Sequence, residues 1–198
     1  MWQPTSATGG FDGRIVFVND LQEYVVPATT LAKYARLVSR LRQTGKPLFG
    51  LFGGYFTLLL RKVGLGSFST AVGYGEYRDS SYHVGGQAVR RYYLPRLHRY
   101  FSDTEAESLL AVINDQSFRC TCSVCRRARR LTNFTPQELL DHFLNVRGSE
   151  IETAATADLG NLLREIDETR RIIERRPAIP FDRYSHLRSW AEALQSFV

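Results

Sequence analysis

Cys120, Cys122 and Cys125 are the only cysteines of the chain, and they stand within six residues as C-T-C-S-V-C. In a chain expected to be intracellular, thiols packed this closely read as metal ligands rather than as a disulfide framework. A tetrahedral zinc site needs four deprotonated ligands. Cys122-x-x-Cys125 supplies a tight pair, and Cys120 turns back onto the same ion. The fourth ligand must come from elsewhere. His142 is the nearest downstream histidine, His98 lies upstream, and His83 and His186 are farther off in sequence. The expected cofactor is Zn²⁺, in a structural role that clamps a strand region to a helical tail. No nearby His-x-Glu accompanies the cysteines as it would in a zinc deaminase.

Charge points the same cluster toward a polyanion. The 198 residues carry 26 Lys+Arg against 20 Asp+Glu, a formal net charge of +6, which favours a polyanionic partner. Arg126, Arg127, Arg129 and Arg130 follow the last cysteine directly. Arg90, Arg91, Arg96, His98 and Arg99 form a second basic segment, interleaved by Tyr92, Tyr93 and Tyr100. Cations beside aromatic rings are how nucleic acids are neutralised and stacked. The other reading is two solvated basic faces with core tyrosines. No apolar stretch approaches the ~18 residues of a spanning helix, and Met1 to Gly13 lacks a signal-peptide pattern. The expectation is a cytoplasmic protein with no membrane partner.

The first third alternates strand and helix. Arg14 to Val18 is β-rich and ends at Asn19-Asp20. Thr29 to Gln43 has helical spacing in Leu31, Tyr34, Leu37, Val38 and Leu41, with Gly45 as a stop. Pro47 to Phe52 is a short apolar run that breaks at Gly53-Gly54. Tyr55 to Val63 reads as a helix, and Ser67 to Tyr74 as a third strand. Short links between these elements predict parallel strands with crossover helices. Ligands of α/β folds bind at the carboxyl ends of such strands. The candidate cluster there is Asn19, Asp20, Gly53, Gly54, Gly73, Gly75, Glu76, Arg78 and Asp79. Glycines in such loops also arise simply from tight turns.

The remainder reads as helical. Ser102-x-x-Glu105 is a capping box ahead of Ala106, Leu109, Leu110 and Ile113. Thr135-Pro136-Gln137-Glu138 is a second, with proline at the first helical position. Its helix buries Leu139, Leu140, Phe143 and Leu144, and Gly148 is expected to end it. Asp158 to Arg175 forms a longer helix, stopped by Pro177. A last helix shows Leu187, Trp190, Leu194 and Phe197 on one face.

The order of these features resembles the carboxyl-terminal half of tRNA-guanine transglycosylases and their DNA-acting relatives. Lys46-Pro47 to Gly54, Arg14 to Asp20, Gly64-Leu65-Gly66 and the stretch Ser149 to Leu162 carry the likeness. The C-x-C-x-x-C spacing is its most specific part. The resemblance covers about residues 10–175. It implies an α/β fold, a partial TIM-like barrel over residues 1–100 followed by a zinc-binding helical subdomain over residues 101–198. It implies a glycosylase or transglycosylase relative acting on an extruded base in DNA or RNA. Base exchange needs a carboxylate nucleophile and a second acid or base. Glu76 and Asp79 are the candidates. Asn19, Gly53, Gly54, Gly73, Tyr74 and Arg78 would bind the substrate, with Tyr74 against the base and Arg78 on a phosphate.

The chain also departs from the family. The family's zinc histidine aligns with Gly160, which leaves His142 to substitute. The family's nucleophilic aspartate aligns within Ser67-Phe68-Ser69-Thr70, where no carboxylate stands. Only three barrel-like strands are recognisable, and a complete (β/α)₈ barrel takes about 250 residues. The expectation is part of a longer enzyme, or a subunit whose barrel is completed by another chain or a second copy. The alternative is a non-catalytic, zinc-stabilised subunit that binds nucleic acid or a partner. An unrelated small-molecule α/β enzyme would show no salt-dependent nucleic-acid binding.

Overall fold

A computed structural model describes residues 13–19, 21–70, 90–127 and 130–198. Two small sheets and six α-helices organise them. Strands β1 (Arg14–Val16), β2 (Leu48–Gly50) and β3 (Ser67–Phe68) lie side by side in that order, both pairs parallel. Helix α1 (Ala28–Arg42) makes the first crossover. Helix α2 (Tyr55–Leu59) and a 3₁₀ turn over Leu60–Lys62 make the second. The parallel arrangement expected from the alternating pattern is present. No barrel is closed among the described residues, and the fold is mixed α/β with most of its residues in helices.

Two glycines are fixed by close approach. A Cβ at Gly53 would sit 2.4 Å from Thr57, and Gly64 has φ +128° with the Arg42 side chain packed over it. Both positions exclude larger residues. The sheet's two faces differ. Val16, Leu48 and Gly50 are buried, whereas Ile15 is 62% exposed and Phe17 is 42% exposed.

Residues 91–102 form a hairpin, where the sequence reading saw a basic, tyrosine-bearing ligand segment. Strand β4 (Arg91–Leu94) pairs antiparallel with β5 (Arg99–Ser102), with Tyr92 opposite Phe101 and Tyr93 opposite Tyr100. Tyr92 and Tyr93 are buried, so these rings are packing residues and not a stacking platform on the surface. Strand β4 buries Tyr92, Tyr93 and Leu94 in succession, so no period-two alternation marks it in the sequence.

Ser102 caps α3 (Asp103–Ile113) through the Glu105 amide. Thr135 and Glu138 form a complete capping box on α4 (Pro136–Thr156). This helix runs through Gly148 rather than stopping there. Mid-helix glycine costs only about 1 kcal/mol, and the Arg147–Glu150 ion pair at 3.0 Å spans the same turn. The buried face is also rotated from the expected one. Leu144 is exposed, and His142, Val146 and Arg147 point inward beside Leu139 and Phe143. Helices α5 (Leu159–Glu174, capped by Asp158) and α6 (Ser185–Leu194) complete the chain. All five apolar residues Leu159, Leu162, Leu163, Ile166 and Ile173 are buried, as their spacing predicts. On α1, however, Leu37 is exposed, and Ala35 takes a buried place.

One continuous core joins the parallel sheet to the helical tail. Trp190 of α6 is fully buried within it. Its indole N–H donates to the Glu23 carbonyl at 2.8 Å, and its ring lies 5.8 Å from Tyr55 and 4.8 Å from His186. No described helix is long and apolar enough to cross a membrane.

Candidate metal centre

Cys120, Cys122 and Cys125 lie in the loop between α3 and α4, and His142 projects toward them from the second turn of α4. The Thr135 capping box fixes where that helix begins, and so fixes the depth of His142. The three Sγ atoms and one His142 nitrogen all lie within 4.8 Å of one another. His142 Nδ1 is 3.5 Å from Cys122 Sγ and 3.3 Å from Cys125 Sγ. A tetrahedral ion bonded at about 2.3 Å to sulfur and 2.0 Å to nitrogen separates those atoms by roughly 3.5 Å. The two histidine–sulfur separations match that value, and the four side chains are close enough to converge on one such ion.

The surroundings orient each ligand. His142 is fully buried, and its Nε2–H donates to the Tyr93 carbonyl at 2.7 Å. That bond leaves Nδ1 as the lone-pair nitrogen facing the sulfurs, the outer-shell arrangement that fixes metal-bound imidazoles. The Tyr92 ring stacks on His142 at 4.2 Å with planes 9° apart, and its hydroxyl meets Cys125 Sγ at 3.2 Å. Backbone amides also approach sulfur, Cys122 N at 3.4 Å from Cys120 Sγ and Cys125 N at 3.5 Å from Cys122 Sγ.

These contacts favour a charged Cys120 sulfur. Cys120 is held well below the usual thiol range, first by the hydrogen bond from the Cys125 thiol, then by His142 and the Cys122 amide acting against burial. Cys125, the donor of that bond and itself partly buried, is pushed up. A cation at the centre would take the place of the shared proton. Burial and the neighbouring thiols also raise Tyr92, which keeps its hydroxyl protonated and able to donate to sulfur. The four protein groups would fill every position of a tetrahedral ion, which is the closed arrangement of structural sites.

The other expected site residues have separate positions. Arg126, Arg127 and Arg130 are exposed on the metal loop and its continuation, and Arg129 lies outside the described residues. Asn19 is exposed at the end of β1, whereas Gly53 and Gly54 are buried at the end of β2. Gly53 has a packing reason to be glycine in its contact with Thr57. Asp20, Gly73, Tyr74, Gly75, Glu76, Arg78, Asp79 and His83 lie outside the described residues. The other two histidines stand apart from the thiols: His98 pairs with Glu150, and His186 is buried on α6.

Sequence reasoning missed the two groups that complete the centre, the Tyr93 carbonyl and the Tyr92 hydroxyl. The available signal was the apolar character of Tyr92-Tyr93-Leu94 just before a Pro-x-x-His turn. No known protein family, curated protein or solved structure matches this chain.

Proposed function

We propose that the chain holds a structural zinc ion and belongs to a nucleic-acid base glycosylase or transglycosylase, acting on an extruded base in DNA or RNA. The observation that carries this reading is the Cys₃His cluster, seated on the same core as a parallel β/α/β/α/β unit. Three thiolates with one imidazole suit zinc, which needs no ligand-field preference and accepts a closed tetrahedron. The ion would pin the loop that bears Arg126, Arg127 and Arg130 and keep those cations facing outward. The unit itself would form part of a TIM-like barrel. Its strand ends would hold the base, with Glu76 as nucleophile and Asp79 as the second acid.

A second reading is a non-catalytic subunit that presents nucleic acid or completes a partner's barrel. It is favoured by the absence of a carboxylate in Ser67-Phe68-Ser69-Thr70 and by the exposed Ile15 and Phe17 on one face of β1. A further β/α unit, from a second chain or a second copy, would cover such a face.

Two assays test these readings. Fluorescence anisotropy with labelled oligonucleotides should show binding that falls steeply with salt. Arg126→Glu with Arg127→Glu should flatten the slope by roughly 0.7–0.9 per lost phosphate contact. Salt-independent binding, or none, contradicts the enzyme reading and the nucleic-acid-presenting form of the second. Base release or exchange that disappears in Glu76→Gln, with binding kept, supports the enzyme. The same chemistry undiminished in Glu76→Gln removes Glu76 as nucleophile.

A further inference from the structure

Beside the metal loop lies an open cleft of about 720 Å³, bounded by that loop, the β4–β5 turn and α4. Its volume is that of small-molecule sites. At its wall stands a buried polar network built on Glu150. Glu150 of α4 accepts from the Tyr93 hydroxyl at 3.0 and 3.2 Å and meets His98 Nδ1 at 2.7 Å, and it forms an ion pair with Arg147 Nη1 at 3.0 Å. The side chains of Arg147, His98 and Glu150 are only 3%, 8% and 9% exposed. A carboxylate offers acceptors only, so Nδ1 of His98 is the donor, and in this tautomer the lone pair lies on Nε2.

That Nε2 has no hydrogen-bond partner among the described residues. It is also not one of the buried side-chain atoms sealed from solvent without a partner, and His98 lines the cleft. The ring cannot turn away. Tyr55 stacks on it at 3.4 Å with planes 11° apart. The backbone of His98 is left-handed, φ 49° and ψ 34°, a conformation rare outside glycine and asparagine. A histidine in this conformation, clamped on one nitrogen and open on the other, is a rigid acceptor aimed at a ligand.

The cleft's cations define the rest of that ligand. Arg96 is engaged, with Glu165 at 3.8 Å and Thr169 at 3.4 Å. Arg119 and Arg126 are exposed, and their guanidinium groups have no partner among the described residues. Guanidinium groups bind phosphoryl oxygens through paired N–H donors.

We propose that this cleft binds a small phosphate monoester that carries a hydroxyl group, of the sugar-phosphate class. Arg119 and Arg126 take the phosphate, and Nε2 of His98 accepts from the hydroxyl. Glu150 is the positioning residue for His98. The cleft shares Arg126 with the proposed nucleic-acid contacts, but its test reads free phosphate esters rather than oligonucleotides or base release, so each can fail without the other.

Isothermal titration calorimetry on the metal-loaded chain tests it, with ribose 5-phosphate, glycerol 3-phosphate, orthophosphate and ribose as probes. At least one of the two esters should bind about tenfold or more tighter than orthophosphate, and ribose should give no heat. His98→Asn, which tolerates the left-handed backbone, should bring the esters down to the orthophosphate level while orthophosphate is unchanged. Arg119→Ala with Arg126→Ala should weaken both esters and orthophosphate tenfold or more. Should the His98 variant fail to fold, ¹⁵N-imidazole spectra of the unaltered protein give the same answer. The His98 Nε2 resonance should move with an ester and stay in place with orthophosphate. Esters no tighter than orthophosphate, or a His98 Nε2 resonance that ignores them, overturn the proposal.

Discussion

The two sheets of this protein solve different problems. The β4–β5 hairpin is enclosed: Tyr92, Tyr93, Leu94 and Phe101 are all at most 3% exposed. Each tyrosine leads to a polar centre, Tyr92 to the thiols and His142, Tyr93 to Glu150. The parallel sheet is built from strands of three, three and two residues and leaves Ile15 and Phe17 in water. The hairpin's side chains are thus committed to interactions within the chain, whereas one side of the parallel sheet keeps apolar surface uncommitted. Stability should therefore depend heavily on the hairpin region and little on the bare face of β1.

Metal removal should separate the two regions most strongly. A structural zinc contributes on the order of 10 kcal/mol of binding energy to folding in small domains. Chelation, or Cys122→Ser, should destabilise the chain by about 5 kcal/mol or more in chemical denaturation. Hydrogen exchange should rise first in β4, β5 and the start of α4. Equal protection of both sheets after chelation would erase the contrast.

Trp190→Ala tests the core that both regions share. Loss of a fully buried tryptophan costs roughly 3–5 kcal/mol, and the lost hydrogen bond to the Glu23 carbonyl adds to it. Thermal melts should show one lowered transition rather than two, because the core is continuous.

A smaller effect concerns pH. His186 donates from Nε2 to the Leu97 carbonyl at 2.8 Å, and its Nδ1 is buried without a partner. Burial chiefly, with the nearby Arg99 and His98 charges, lowers it from 6.5 to about 3 against the Leu97 bond. Between those values the unfolded chain binds the extra proton and the folded one does not, so stability falls as pH drops from about 6.5 toward 3. His186→Gln retains an N–H for Leu97 and removes the titration. Its melting temperature should fall less between pH 7 and pH 5 than that of the unaltered chain, any metal loss being common to both.

The smallest expected effect is Ile15→Lys. An exposed substitution of this kind changes stability by no more than about 0.5 kcal/mol. If another β/α unit docks on that face, the same change should abolish the complex in native mass spectrometry while the chain's own melting point stays put. A melting point that drops by several degrees would show the face to be covered within the chain.

The sequence was most legible where one local pattern fixes one geometry. Alternating apolar runs announced the parallel strands, because crossover links leave few alternatives. Cys122-x-x-Cys125 pointed to the cluster that could hold a metal, and two capping boxes placed the starts of α3 and α4. The hairpin was obscured because its arginines matched a nucleic-acid pattern, although two of its tyrosines face inward. Gly148 misled as a helix stop because packing outweighs a propensity of about 1 kcal/mol. Glu150 gave no local signal at all: its partners Tyr93 and His98 lie 57 and 52 residues away.

The central claim is that His142 closes a structural metal site with the three cysteines. Cobalt(II) substitution of the purified, reduced chain reads it most directly, with metal quantified on the same sample. The account predicts one tetrahedral cobalt per chain with thiolate-to-metal charge transfer from three sulfurs. His142→Ala should weaken binding by tenfold or more and shift the spectrum, whereas His98→Asn should leave both unchanged. Three freely alkylated thiols in the presence of metal, or a His142→Ala chain that binds cobalt with the same affinity and spectrum, would contradict it.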